Sequence, residues 1–275
     1  PSSLKVIAKP DPGAGIYIKP MFFKAETAGK YFCKTCGQDS NLYRNAPFEQ
    51  FIHYIDPTTK MATIPVIADV NEQLAVKVAS ELSDKYKQVV YGIYMDVTSK
   101  ESVFNAGNKI IRKFSRINFL INNAAIDSKV TNIKSEKQWT RFENFPEEIW
   151  EKELAVGLKG AFICSQFFGT EMIKTGGGVI LNISSDLGII SPDQRLYTVN
   201  GVQDDEQPVK PVTYSVIKHG LSGLTKYLAT YWADRNVRVN ALCPGGVSNN
   251  QPDDFVKKLA NLIPMERMAH IDEYK

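Results

Sequence analysis

No apolar run approaches the ~20 residues that a bilayer-spanning helix needs, and the first residues, Pro1 to Lys5, hold no apolar core of a secretory signal. Both absences point to a soluble cytoplasmic protein. An excess of one charge is missing too. The chain has 33 basic residues against 30 acidic, a formal +3, with neither sign gathered into runs. Nothing here asks for nucleic acid or another polyanion as a partner. Cysteine is sparse, with four in 275 residues, and Cys164 and Cys243 fall inside apolar elements as buried thiols do. Cys33 and Cys36 form a lone Cys-x-x-Cys with only His53 nearby. Zinc takes four ligands, so two reduced thiols in a surface loop are the plainer expectation and no metal is assigned. Internal repeats and low-complexity tracts are also lacking.

What remains is a chain with 43% hydrophobic residues, enough for one large core. From residue 64 onward, short β-branched runs alternate with helical periodicity, as parallel strands joined by crossovers do. Strands are expected at 64–69, 89–94, 119–122, 179–184 and 237–242. Helices are expected at 71–86, 99–115, 146–174 and 213–235. The predicted fold class is α/β, a Rossmann-type doubly wound parallel sheet in a single domain. Two regions break the alternation. Residues 1–60 are rich in Pro, Lys and aromatics without sustained period, and 190–211 form a polar loop carrying Asp204-Asp205-Glu206.

Tyr214 and Lys218 are spaced i and i+4, one turn apart on one helix face. A cation beside a phenol favours phenolate, and moving a phenol down from about 10 makes it a usable acid/base for alcohol–carbonyl interconversion. An amphipathic helix with two solvent-facing polar residues would give the same spacing. The context is more specific: Ile121-Asn-Asn-Ala-Ala125, then Gly176-Gly-Gly178 with Val179-Ile-Leu-Asn-Ile-Ser-Ser185, then Tyr214 to Lys218, then Val237 to Gly245. In this order the segments resemble the successive motifs of the short-chain dehydrogenase/reductase family, over roughly residues 61–275.

That resemblance implies an NAD(P)-dependent oxidoreductase moving hydride between nicotinamide and a secondary alcohol or ketone. Tyr214 would exchange the proton, Lys218 would assist it and bond the nicotinamide ribose, and Ser185 would polarise the substrate carbonyl. Ser184 reads better as a cap on the strand end. Asn123 and Ala124 would line the adenine-ribose side, Asp96 and Val97 would meet the adenine, and Pro244, Gly245 and Val247 would run along the nicotinamide. Asp69 would bond the adenosine ribose and repel a 2′-phosphate, favouring NAD over NADP, although an acidic helix cap before Asn71 is its alternative. The run from Asp186 to Gln251 is similar to bacterial flagellin-modification dehydrogenases of nonulosonic-acid sugar pathways, which implies a sugar-derived small-molecule substrate. A homodimer or homotetramer through the helices at 146–174 and 213–235 is implied as well.

Three departures accompany the resemblance. Gly157, in Ala155-Val-Gly-Leu-Lys-Gly160, stands where the family usually has an asparagine of its proton relay. If the helix there is regular and has room, Gly157→Asn should restore the relay and add stability. The family's Thr-Gly-x-x-x-Gly-x-Gly turn is absent as such: Leu4 to Ala8 could be the first strand with Gly13 and Gly15 after it, or residues 1–60 could be an insertion or foreign sequence. Finally, the sequence given stops at Lys275 where the family continues into a helix and a last strand, so the sheet is expected to end on an exposed edge. The combined departures keep open a degenerate member that binds nucleotide or a partner without turnover. A sugar-nucleotide epimerase or dehydratase fits the Ser185 and Pro-Gly contexts less well.

Overall fold

The computed structural model describes residues 16–20, 64–126, 138–270 and 273. The possible strand at 4–8, the Gly13 to Gly15 turn and the Cys33, Cys36 and His53 group lie outside the described residues. Among these residues six strands form one parallel sheet: β1 (Ile16–Pro20), β2 (Ile64–Asp69), β3 (Tyr91–Tyr94), β4 (Phe119–Asn122), β5 (Gly178–Ile183) and β6 (Val237–Leu242). Their order is β3-β2-β1-β4-β5-β6. The first position in the sheet thus belongs to residues 16–20, where Ile18 pairs with Val66 on one side and Leu120 on the other. The strand order reverses between β1 and β4, the switch point at whose carboxyl end open α/β sheets bind ligands. Among the described residues, β6 forms the outer edge.

Among the described residues, six α-helices cross over between or follow the strands: α1 (Glu72–Tyr86), α2 (Lys100–Phe114), α3 (Glu147–Leu154), α4 (Gly160–Lys174), α5 (Val212–Tyr231) and α6 (Asp253–Ala260). Local chemistry sets their starts. The Asn71 side chain accepts from the Leu74 N–H and caps α1, and Ser99 caps α2 through the Ser102 N–H. Gly176 and Gly177, at φ 97° and 118°, make the left-handed turn that feeds β5. None of the described helices is long and apolar enough to cross a membrane.

The core lies between the sheet and these helices, with Val66, Leu120, Ile180, Phe168 and Met172 fully enclosed. Parallel strands covered on both faces read as continuous apolar runs, and β2 is buried from Pro65 to Asp69. Cys164 is fully buried, and that burial pushes its thiol up to about 12, which leaves it inert. A polar thread crosses this core. Asn122 Nδ2 donates to Asn182 Oδ1 at 2.8 Å and to Ser165 Oγ at 3.0 Å, while Asn182 Nδ2 donates to Thr225 Oγ1 at 2.8 Å. It pins β4, β5, α4 and α5 in one register.

The expected continuous helix over 146–174 is interrupted. Residues Ala155–Lys159 form a π turn between α3 and α4, in which the Gly160 N–H bonds to Ala155 O, five residues back. Periodicity cannot announce such a turn, because one extra residue leaves the apolar pattern helical on both sides.

Candidate active site

Because every strand is parallel, the residues that end β2, β4, β5 and β6 arrive at one edge of the sheet. Tyr214 stands in the first turn of α5 with Lys218 one turn on. Lys218 is buried, its Nζ donates to Ile183 O at the end of β5 at 2.8 Å, and its ammonium lies 5.5 Å from the Tyr214 ring centroid. Ser184 Oγ donates to Lys218 O at 2.8 Å, so β5 and α5 are stitched together in both directions. That corrects the expectation for Ser184, which fastens the helix instead of capping the strand. Ser185 is buried, accepts from the Leu187 N–H and donates to Asp186 Oδ1 at 2.7 Å. The Asp186 N–H bonds to Pro244 O at 2.9 Å, joining the serine turn to the Pro244 and Gly245 segment.

Two neighbours escaped the sequence reading. Asp186 follows Ser185 and accepts its hydroxyl. Lys210 holds its ammonium 3.8 Å from the Tyr214 ring centroid, with its N–H fixed on Gln194 Oε1 at 2.8 Å. Two ammonium groups therefore lie within 5.5 Å of the centre of the Tyr214 ring. Lys210 lies in what reads as a polar loop, and its only trace in the sequence is the even spacing of Lys210, Tyr214 and Lys218. A cavity of about 320 Å³ adjoins this group, lined by Thr140, Arg141, Gln194, Lys210, Val212 and Ser215 among others.

On the other side of the switch point, Asp69 ends β2 and is 4% exposed. Its Oδ1 accepts from the Asn71 N–H at 2.8 Å, while its Oδ2 is buried with no hydrogen-bond partner among the described residues. Asn71 itself caps α1, so half of the Asp69 carboxylate is left for another donor. Burial pushes this carboxyl up to about 7, against the opposing pull of the Asn71 N–H. Asp96 spends Oδ1 on the Thr98 N–H and hydroxyl, at 2.8 and 2.7 Å. Val97 sends its side chain into the core against Gly160, which leaves only its main chain to meet a ligand. Asn123 and Ala124 follow β4 and are half-buried, and Val247 bridges to Ala269.

The family model described as short chain dehydrogenase matches residues 58–258. This chain belongs to the short-chain dehydrogenase family. Its similarity to the post-translational flagellin modification protein A of Campylobacter coli is 31% identity over 213 residues, 76% of this chain and 77% of that one. The 3-oxoacyl-acyl-carrier-protein reductase of Aquifex aeolicus is 32% identical over 212 residues, 76% of this chain and 75% of that one. An uncharacterised oxidoreductase of Thermotoga maritima is 33% identical over 175 residues, and there the match spans 60% of this chain and 59% of the relative's length. The flagellin modification protein is thus one of several comparable relatives. Among solved structures, a gluconate 5-dehydrogenase from Burkholderia cenocepacia in complex with NADP and tartrate superposes with TM-score 0.64 at 23% identity, over 77% of this chain and 74% of that one. NAD+-bound xylitol dehydrogenase gives 0.63 at 22%, over 77% and 79%. At these identities the structures establish a common fold.

Gly157, where this short-chain dehydrogenase departs from the family's asparagine, sits in the middle of the π turn and is buried. A Cβ built there would meet Ile217 Cγ2 at 2.8 Å and Cδ1 at 3.2 Å. Neither condition for a restorable relay holds: the backbone is not regular α-helix, and the space is filled by a side chain of α5. The glycine is a packing requirement of this helix pair.

Proposed function

We propose that this chain is a nicotinamide-dependent oxidoreductase that interconverts a secondary alcohol and a ketone, with Tyr214 as its acid/base. The observation that carries this is the ring of Tyr214 with the ammonium groups of Lys210 and Lys218 at 3.8 and 5.5 Å from its centroid, at the carboxyl edge of the parallel sheet where Lys218 bonds Ile183 O. Two cations favour phenolate, which takes the proton of the alcohol on oxidation and returns it to the carbonyl oxygen on reduction. Lys218, fixed on Ile183 O, holds that charge in place. Ser185 polarises the substrate oxygen, and Asp186 holds the serine hydroxyl until the substrate takes its place. A bound nicotinamide supplies or accepts the hydride.

The cofactor would lie across the switch point, with Asp69 Oδ2 on the adenosine ribose, Asp96 and Val97 at the adenine and Asn123 with Ala124 along the cleft. Pro244, Gly245, Val247, Tyr214 and Lys218 would hold the nicotinamide half. The orphaned, buried Oδ2 fits a ribose hydroxyl donor, and NAD is the preferred form. With its carboxyl titrating near pH 7, Asp69 is charged above that point and repels a 2′-phosphate, but neutral below it. The preference for NAD over NADP should therefore widen as pH rises from about 6 to about 8 and narrow in Asp69→Ala. Dissociation constants for both cofactors across that range test it, and a parent protein that prefers NADP at every pH would sink the assignment.

The same group affects folding. A carboxyl raised from 3.8 to about 7 in the folded state contributes stability that is full below pH 3.8, declines as pH rises and is gone above about 7. Asp69→Asn should flatten this decline, which amounts to a few kcal/mol at most. Denaturant titrations at several pH values measure it.

The polar run over 190–211, which carries Asp204-Asp205-Glu206, favours a hydroxylated, sugar-derived substrate. The exposed aromatics Phe162 of α4 and Tyr227 and Tyr231 of α5, the last two stacked at 5.6 Å, border a second cavity of about 680 Å³. They support a homodimer or homotetramer formed through these helices. The function is tested by following nicotinamide absorbance with glycerol, threitol, xylitol and gluconate as alcohols and a 3-oxoacyl thioester as ketone. NADH bound tightly but oxidised by no ketone would favour a nucleotide-binding role without turnover.

A further inference from the structure

Among the described residues three charged side chains are buried: Asp69, Lys218 and Glu153. The first two have places in the proposed site, and Glu153 has none. It lies at the end of α3, 2% exposed, and accepts a short hydrogen bond at Oε2 from the hydroxyl of Thr213, which is fully buried. Thr213 immediately precedes Tyr214.

The bond belongs to a ladder. One turn after Glu153, Gly157 faces Ile217, one turn after Thr213; then Leu158 fits over Gly220, and Ala161 joins Ile217 and Leu221 in one cluster. The two helices run in the same direction with matched register, and the rungs beyond the first are apolar and close-packed. Apolar contacts fix distance but only weakly fix sliding or rotation, whereas a hydrogen bond to a buried carboxylate is directional and costly to break. The first turn of α5 needs such a fastening, since the residue before it, Pro211, makes no side-chain cap. A carboxylate at a helix amino terminus also meets the positive end of the helix dipole.

We propose that Glu153 is a positioning residue that acts through Thr213 to set the height and rotation of Tyr214 against Lys218 and Lys210. This rests on the assignment of Tyr214 as the acid/base. A buried carboxylate is weak evidence for stability, and the directional bond to Thr213 gives Glu153 its use as a register device.

The test compares Tyr214→Phe, Thr213→Val, Thr213→Ser and the double variant Glu153→Leu with Thr213→Val, in the full chain. Thr213→Val takes the hydroxyl donor from a buried carboxylate and could fail to fold; the double variant removes both polar groups together and keeps the packing. The first readout needs no substrate: ring-carbon NMR of isotopically labelled tyrosine, with Tyr214→Phe identifying the Tyr214 resonance. In the double variant the Tyr214 titration should shift to higher pH as the phenol leaves its cations, and Thr213→Ser should titrate like the parent. On whichever substrate turns over, kcat should fall roughly ten- to a hundredfold in the double variant, with cofactor affinity unchanged and Thr213→Ser near parental. An unmoved titration with full kcat in the double variant would overturn the positioning role alone. Retained turnover in Tyr214→Phe would overturn it together with the acid/base assignment beneath it.

Discussion

Tyr214→Phe is expected to lower kcat by about a hundredfold or more, the usual worth of general acid–base catalysis, while cofactor affinity stays close to parental. The substitution removes one oxygen and keeps the ring, so the Lys210 ammonium retains the aromatic face it lies over at 3.8 Å. Lys218 keeps its bond to Ile183 O, which does not pass through the phenol. The defect should thus be confined to proton transfer. Steady-state turnover and NADH fluorescence titration separate the two quantities. Residual turnover above about a tenth of the parent would remove Tyr214 from the role.

Gly157→Asn should destabilise the protein by about 1–3 kcal/mol, the cost of forcing extra atoms into a filled core. A Cβ at Gly157 comes within 2.8 Å of Ile217 Cγ2, closer than real contacts allow, and the rest of the asparagine must go further into the same helix pair. The gain from replacing a helical glycine, about 1 kcal/mol at best, is smaller and presumes ordinary helix. Adding Ile217→Ala opens the contact and should recover part of the loss. Denaturant midpoints for parent, single and double variants decide the matter, and a Gly157→Asn protein as stable as its parent would contradict the packing described here.

The strands from β2 onward and most helices were legible because burial imposes period, whereas β1 at Ile16–Pro20 was not. Val66 to Ala68 must be continuously apolar to sit inside a parallel sheet, and Leu74, Val78 and Leu82 must recur by fours on α1. The reaction centre was legible for a related reason, since Tyr214 and Lys218 are locked by helix geometry to a spacing that survives in one dimension. Contacts made across the chain left no such mark. Nothing in the string puts Ile217 on Gly157, ties Ser184 to Lys218 O or lays Lys210 over Tyr214, because each depends on how α5 seats against its neighbours. The π turn was invisible for the opposite reason: both flanks keep helical pattern, so the interruption reads as continuity.

That turn also fixes the phase of everything after it. Each residue of an α-helix advances the chain by about 100°, so the single extra residue absorbed at Ala155–Lys159 rotates α4 by that angle relative to a plain continuation of α3. With it, Phe168 and Met172 point into the core and Phe162 points out. A deletion of Lys159 from this turn would shorten the protein by less than half a percent and leave every core side chain in the composition. It would also swing the aromatic face of α4 a quarter turn away from the sheet. The chain should accept many substitutions along α4 more readily than one missing residue before it.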